Sequence, residues 1–348
     1  MSKKFYAVLT LLIMASMVLA ACGATATEAP PEASFRACQV PDTGGIDDRS
    51  FNQTAWKGVQ DAEAEFGIQG TFLESQEQAD YAENINAFIE EGCDIIITVG
   101  FLIGEDTAAA ATANPDRPFT IVDFAYDPTI PNVLGQVFNT DEAAFLAGYV
   151  AAGMTQTGTV GTFGGIQIPP VTIFMDGFYY GVQYYNQQKG TDVEVLGWDP
   201  VAQTGLFSGN FESTDDGRRL GESLMDEGAD IIMPVAGPVG LGTAAAAQER
   251  GGVYIVGVDT DWAIVNSQYA DIVLTSVLKN MDVTTFDAIE AVINGTFEGG
   301  VTVGTLTNGG VGLAEFHEMD AMVPDDLKAE IESVRQGVID GNISITGG

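Results

Sequence analysis

Two six-residue segments, Gly92-Cys93-Asp94-Ile95-Ile96-Ile97 and Gly228-Ala229-Asp230-Ile231-Ile232-Met233, carry nearly the same pattern in different halves of the chain. Each sets a glycine and an acidic residue before a continuous apolar run, which reads as a helix end followed by a buried strand. A pattern repeated in this way predicts equivalent units in two lobes. The chain, at 348 residues, is about two domains long.

Other short apolar runs fit the same scheme: Phe35–Val40, Phe119–Val122, Thr159–Phe163, Tyr254–Val258 and Ile272–Val277. Gly70–Leu73 and Asp192–Trp198 are further strand candidates. Between these runs, apolar residues recur at helical spacing, as in Ala55, Trp56, Val59, Ala62 and Phe66. Near-continuous apolar strands alternating with helices predict an α/β fold with parallel sheets covered on both faces. In such sheets ligands sit beyond the carboxyl ends of the strands, and clefts between domains are favoured sites.

One strand-end loop stands out, Pro41-Asp42-Thr43-Gly44-Gly45-Ile46-Asp47-Asp48-Arg49-Ser50-Phe51-Asn52. Its glycines allow a ligand close to the backbone, Asp42 can accept hydrogen bonds and Phe51 offers a flat apolar face. The bland reading is a capped turn, with Asp47, Asp48 or Ser50 as the N-cap of the helix that follows.

Lys3 and Lys4 precede an apolar run from Phe5 to Ala21, the layout of a secretory signal peptide over residues 1–21. The run ends Leu19-Ala20-Ala21-Cys22, which has the form of a lipobox with Cys22 as the lipidated residue; residues 22–34 read as a flexible tether. A transmembrane anchor is the alternative, for which the run is short. Export and attachment to the outer face of the cell membrane, or a periplasmic location, follow. Cys38 and Cys93 lie on or beside strands that neighbour each other in a doubly wound sheet, so they can pair as a disulfide or stay as buried thiols.

The formal net charge is −36, which makes nucleic acid and anionic membranes poor partners. Removing the leader takes away two lysines and no acid, leaving the mature chain more acidic still. The single histidine, His317, excludes a His-based metal site and leaves little for a nucleophilic triad. No Walker-type phosphate loop is present, and Gly237-Pro238-Val239-Gly240-Leu241-Gly242 lacks dinucleotide spacing. Acid pairs such as Asp47/Asp48, Asp215/Asp216 and Asp259/Asp261 suit caps and surface charge in so acidic a chain. Neither an enzyme nor a cofactor is expected.

The run from Asp42 to Asn52 resembles the opening signature of the basic membrane protein family of nucleoside-binding lipoproteins. The resemblance continues through Ile168-Pro169-Pro170-Val171, Asp176-Gly177-Phe178 and Gly228-Ala229-Asp230 followed by Pro234-Val235-Ala236-Gly237. It extends into Gly257-Val258-Asp259-Thr260-Asp261 and Leu274-Thr275-Ser276-Val277-Leu278-Lys279, covering residues 36–345. It implies a type I periplasmic-binding-protein fold, two Rossmann-like lobes joined by a hinge. Residues 35–140 would form the N-terminal lobe, with 263–300 returning to it. Residues 141–262 would form the C-terminal lobe, with 301–348 packing across the hinge and onto it.

By the same resemblance, a purine nucleoside is held between two aromatic faces and delivered to an ABC permease with its ATPase subunits. Phe51 is one face and Phe211 the other, with Phe207 as its rival. Asp42 and Asp123 suit base-edge or loop-organising roles, and Asn52 the base edge or its own turn. Asp259 suits the ribose, with Lys279 as its partner and Asp261 as the alternative. Phe101 and Gly237 are expected to line the site, chiefly through backbone contacts. A monomer is expected, without metal. The alternatives are the same fold carrying a sugar or another small polar solute, and a lipoprotein that senses its ligand.

Overall fold

The computed structural model describes residues 35–346; the leader, the tether and Cys22 lie outside them. The first unit opens with β1 (Arg36–Pro41), α1 (Phe51–Phe66), β2 (Gln69–Phe72), α2 (Tyr81–Glu91) and β3 (Ile95–Val99). It continues with α3 (Gly104–Ala113), β4 (Phe119–Val122) and β5 (Val133–Phe138). The strands pair in parallel, and all of β3 is buried, which is why its sequence shows no polar alternation.

α4 (Thr140–Met154) carries the chain into a second unit of β6 (Thr159–Gly164), α5 (Pro169–Lys189) and β7 (Glu194–Leu196). A short antiparallel pair, β8 (Trp198–Asp199) and β9 (Thr204–Gly205), precedes α6 (Thr214–Asp226). Then follow β10 (Ile231–Val235), α7 (Gly240–Arg250), β11 (Tyr254–Asp259), α8 (Trp262–Val265) and β12 (Val273–Lys279). The last elements are α9 (Met281–Ile293), β13 (Gly300–Gly304), β14 (Val311–Leu313) and α10 (Asp325–Ile339).

Two six-stranded sheets result, ordered β13-β5-β4-β3-β1-β2 and β14-β12-β11-β10-β6-β7. Only β14 runs antiparallel to its neighbour. The orders correspond position by position, and β3 and β10, which carry the repeated segments, occupy equivalent places. Inside the second lobe α4 and α5 cross closely, because Gly148 faces the Phe178 carbonyl and Gly181 the Phe145 carbonyl, leaving no room for a Cβ.

The chain passes between the lobes at Asn139, at Asn280 and through residues 305–310. The two asparagines share one conformation, φ −78°, ψ 64° and φ −82°, ψ 61°. Asn139 N donates to Gly304 O (2.8 Å) and Asn280 N to Gly310 O (2.9 Å), tying the crossings into one hinge. The crossings correct the expected lobe assignment of the C-terminal third. β12, expected in the first lobe, pairs with β11 in the second sheet, and only from α9, which packs against α1, does the chain return. β13, expected with the second lobe, pairs with β5 in the first sheet. An apolar run announces a strand and not its neighbour: β12, almost wholly buried, needs cover on both faces beside β11, whereas half-exposed β13 suits an edge.

Cys38 and Cys93 are joined as a disulfide, with Cα atoms 6.1 Å apart. It links β1 to the turn before β3, where Cys38 already faces Ile96 in the ladder.

Candidate functional site

The carboxyl ends of the strands in the two sheets face each other across one cavity. From the first lobe it receives Asp42 after β1, Gly100 and Phe101 after β3, and Asp123 after β4; from the second, Ala236 and Gly237 after β10, Asp259 ending β11, and Lys279 ending β12. Phe51 and Asn52 enter from the start of α1, Phe174 from α5, and Phe211 from the loop after β9. Thus all nine residues anticipated as ligand contacts line the same space.

The loop before α1 is held by its own polar groups. Gly44 and Gly45 adopt φ 110° and 78°, torsions that an L side chain resists. Asp48 accepts from the backbone N–H of Ser50 (2.9 Å), Asn52 (2.8 Å) and Gln53 (3.0 Å), satisfying donors at the helix start. Ser50 occupies the N-cap position, yet its hydroxyl does not cap the helix; it crosses the cleft to Asp259 Oδ2 at 2.9 Å. Asn52 Nδ2 donates to Gly45 O (3.1 Å), so this side chain organises its own turn, while its Oδ1 is buried without a protein partner.

Lys279 is the electrostatic centre. It is 2% exposed and pairs with Asp123 at 2.5 Å across the cleft. Its ammonium also lies 4.9 Å from the ring centre of Phe51, 5.2 Å from Phe138 and 5.8 Å from Phe174, within cation–π range. Four carboxylates share the cavity with this one cation. Burial pushes Asp123 and Asp259 above the usual carboxylate range, and Lys279 draws both back. Burial raises Asp48 to about 7, aided slightly by Asp259 and opposed by its three backbone donors. Burial also raises Asp42, against hydrogen bonds from Tyr81 and Thr43.

Such a site offers aromatic faces, hydrogen-bond acceptors and one buried donor, the equipment for gripping a flat polar solute. Two sequence ambiguities find different surroundings. Phe211 lines the cavity, whereas Phe207 packs edge-on against Trp198, 5.9 Å between ring centres and 89° between planes. Asp259 lines the cavity, whereas Asp261 caps α8 through Ala263 N (3.2 Å) and pairs with His317 Nε2 (2.6 Å). Residues missed by sequence reasoning include Phe138 and Phe174, hidden among many helix and strand aromatics. Asp48, which the sequence suggests as a cap or as surface charge, lines the cavity as well. Nothing local distinguishes these residues; the signal is their convergence in space.

Among the described residues, no three His, Cys, Asp or Glu side chains are arranged to hold a metal, and no helix is long and apolar enough to cross a membrane.

Comparison with known proteins bears on the same region. The family described as ABC transporter substrate-binding protein PnrA-like matches residues 36–347. Basic membrane protein A of Borreliella burgdorferi is 31% identical, with 97% of this chain and 95% of that protein covered. The ABC transporter nucleoside-binding protein BmpA of Lactococcus lactis is 28% identical over 99% of both chains. Among solved structures, an ABC transporter solute-binding protein from Aeropyrum pernix superposes with a TM-score of 0.80 at 27% identity, covering 89% of this chain and 92% of that one. One from Conexibacter woesei gives 0.70 at 22% identity, covering 89% and 98%. The fold is therefore the type I periplasmic-binding fold anticipated from sequence, and the chain belongs to the PnrA-like family of ABC transporter substrate-binding proteins, which are binding proteins and not enzymes.

Proposed function

We propose that this protein captures a purine nucleoside in the interlobe cavity and delivers it to an ABC permease, acting as an exported monomer anchored by a lipid on Cys22. The observation that carries the reading is the constellation around Lys279: aromatic faces and carboxylates from both lobes around a single buried cation. A base stacks between Phe51 and Phe211, a contact typically worth ~1–3 kcal/mol per base and tolerant of base identity. Asp259, with Lys279 beside it, receives the ribose hydroxyls. The carboxylates then reject a bare base, because buried acceptors that lose their donors carry a desolvation cost. The naming of the Lactococcus relative as nucleoside-binding supports the same ligand class.

Closure joins the two halves of the site, since Asp123 belongs to one lobe and Lys279 to the other. A ligand held by both lobes stabilises the closed form by its differential affinity for that form. Purified protein denatured and filtered should release a small molecule absorbing in the purine band with the mass of a nucleoside. Release of a sugar would oppose the reading.

A further inference from the structure

Asp42 projects into the cavity from the end of β1, yet the group that sets its orientation lies outside the cavity. Tyr81, the first residue of α2, is fully buried, and its hydroxyl donates to Asp42 Oδ1. Thr43 N donates to the same oxygen at 2.7 Å. Among the described residues no protein donor reaches Oδ2. That oxygen sits beside Gly100, where a Cβ would collide with it, so the glycine leaves room for the carboxylate. One oxygen is thus saturated from behind and the other is left for whatever fills the cavity.

We propose that Tyr81 is a positioning residue of the ligand site, presenting Oδ2 of Asp42 to the ligand. The proposal rests on the reading that Asp42 touches the ligand. Burial opposes ionisation of Asp42, and Asp123, at the end of β4 on the far side of β3, adds repulsion. Against these stand the donors Tyr81 and Thr43. The other charged groups of the cavity are Asp48 from the loop before α1, and Asp259 and Lys279 from the second lobe. Removing the phenol oxygen deletes the largest influence that holds the pKa of Asp42 down. Its carboxyl then titrates at higher pH, and the ligand loses its acceptor over a wider range.

The test is Tyr81→Phe, which keeps the ring that fills the buried space, studied alone and combined with Asp42→Asn. The carboxyl resonance of Asp42, assigned by its loss in the Asn variant, is followed by 13C NMR against pH, and guanosine affinity is measured at each pH. The expected result is an Asp42 titration higher by about one unit in the Phe variant. Guanosine affinity should fall by up to about tenfold on the acid side of the Asp42 titration and recover as pH rises. In the Asp42→Asn background the Phe substitution should add no further loss, because Tyr81 acts through that carboxylate. An unchanged Asp42 titration would overturn the proposal, as would an equal affinity loss from Tyr81→Phe in both backgrounds. Should the Phe variant misfold, a fluorinated tyrosine at the same position, a stronger donor of similar shape, should move the titration downward, and no movement would count against the proposal. Failure of the nucleoside reading would show separately, as no nucleoside binding by the unsubstituted protein, while the carboxyl titration still decides the role of Tyr81.

Discussion

Asp123 and Asp259 stand at the carboxyl ends of equivalent strands in the two sheets, and both adopt φ 67°. Left-handed backbone at a residue other than glycine costs on the order of 1–3 kcal/mol, and aspartate is among the side chains that tolerate it best. Both carboxylates line the cleft, where Lys279 pairs with Asp123 and acts on Asp259 through its field. The duplicated fold thus places one acid from each lobe against a single cation.

Removing that cation should expose the cost of the acids. Lys279→Met leaves buried Asp123 without its partner and removes the cation whose field favours Asp259, a loss of about 3–5 kcal/mol when a buried pair is broken. Asp123 and Asp259 already have folded pKa values above the ordinary one. A raised folded pKa means a stabilising contribution that is complete at acid pH and is lost as pH rises through the folded value. Without the lysine these values rise further, so urea unfolding should show a larger deficit at pH 8 than at pH 5. Equal deficits at both would contradict the electrostatic account.

Asp48 makes a narrower case. Its pKa rises from 3.8 to about 7, so its contribution to stability is lost as pH climbs across that window. Asp48→Asn removes about one proton's worth of that dependence. The slope of unfolding free energy against pH between 4 and 7 should therefore be shallower in the variant, tested by urea melts of both proteins at matched ionic strength. The same slope in both would show that Asp48 ionises as freely folded as unfolded.

The two phenylalanines of the loop after β9 should separate binding from stability. Phe211→Ala should weaken nucleoside binding by ~1–3 kcal/mol, the range for a lost base stack, with little change in melting temperature. Phe207→Ala removes the ring that packs on Trp198, and should lower the melting temperature while affinity stays close to that of the parent. Calorimetric titration and thermal melts of the two variants check both halves of this prediction.

Much of this architecture was legible in the chain. The run from Asp94 to Val99 and its counterpart from Asp230 to Val235 had to be buried strands, because their apolar residues have no polar alternation to place in water. Strand-end acids and the loop from Pro41 to Asn52 pointed to the cavity because α/β sheets bind there. Pairing was less legible: nothing in β12 or β13 announces which sheet it joins, since that choice depends on hinge crossings and not on periodicity. The route of Ser50 was hidden too, because a serine before a helix ordinarily caps it, whereas here Asp48 has taken the nearby backbone donors and the hydroxyl is left to reach Asp259.

The disulfide predicts a different kind of loss. It closes a loop with a sequence separation of 55, for which the chain-entropy relation gives about 4 kcal/mol. Replacing Cys38 and Cys93 by alanine should lower the unfolding free energy by ~2–4 kcal/mol with nucleoside affinity largely preserved, because neither residue lines the cavity. Urea titration with and without reductant gives the same comparison on the parent protein.

The central claim is that stacking and ribose recognition act together on one ligand. Calorimetric titration of the protein, unfolded and refolded to strip carried ligand, should include guanosine, adenosine, uridine, guanine, ribose, and the 2′- and 3′-deoxy forms of guanosine. The account predicts tight binding of an intact nucleoside, weaker binding of the deoxy forms, and little or none of base or ribose alone. Equal affinities for the deoxy and parent nucleosides would remove the ribose role of Asp259. Silence from every nucleoside by folded protein would contradict the account and leave the two-lobed fold with another ligand.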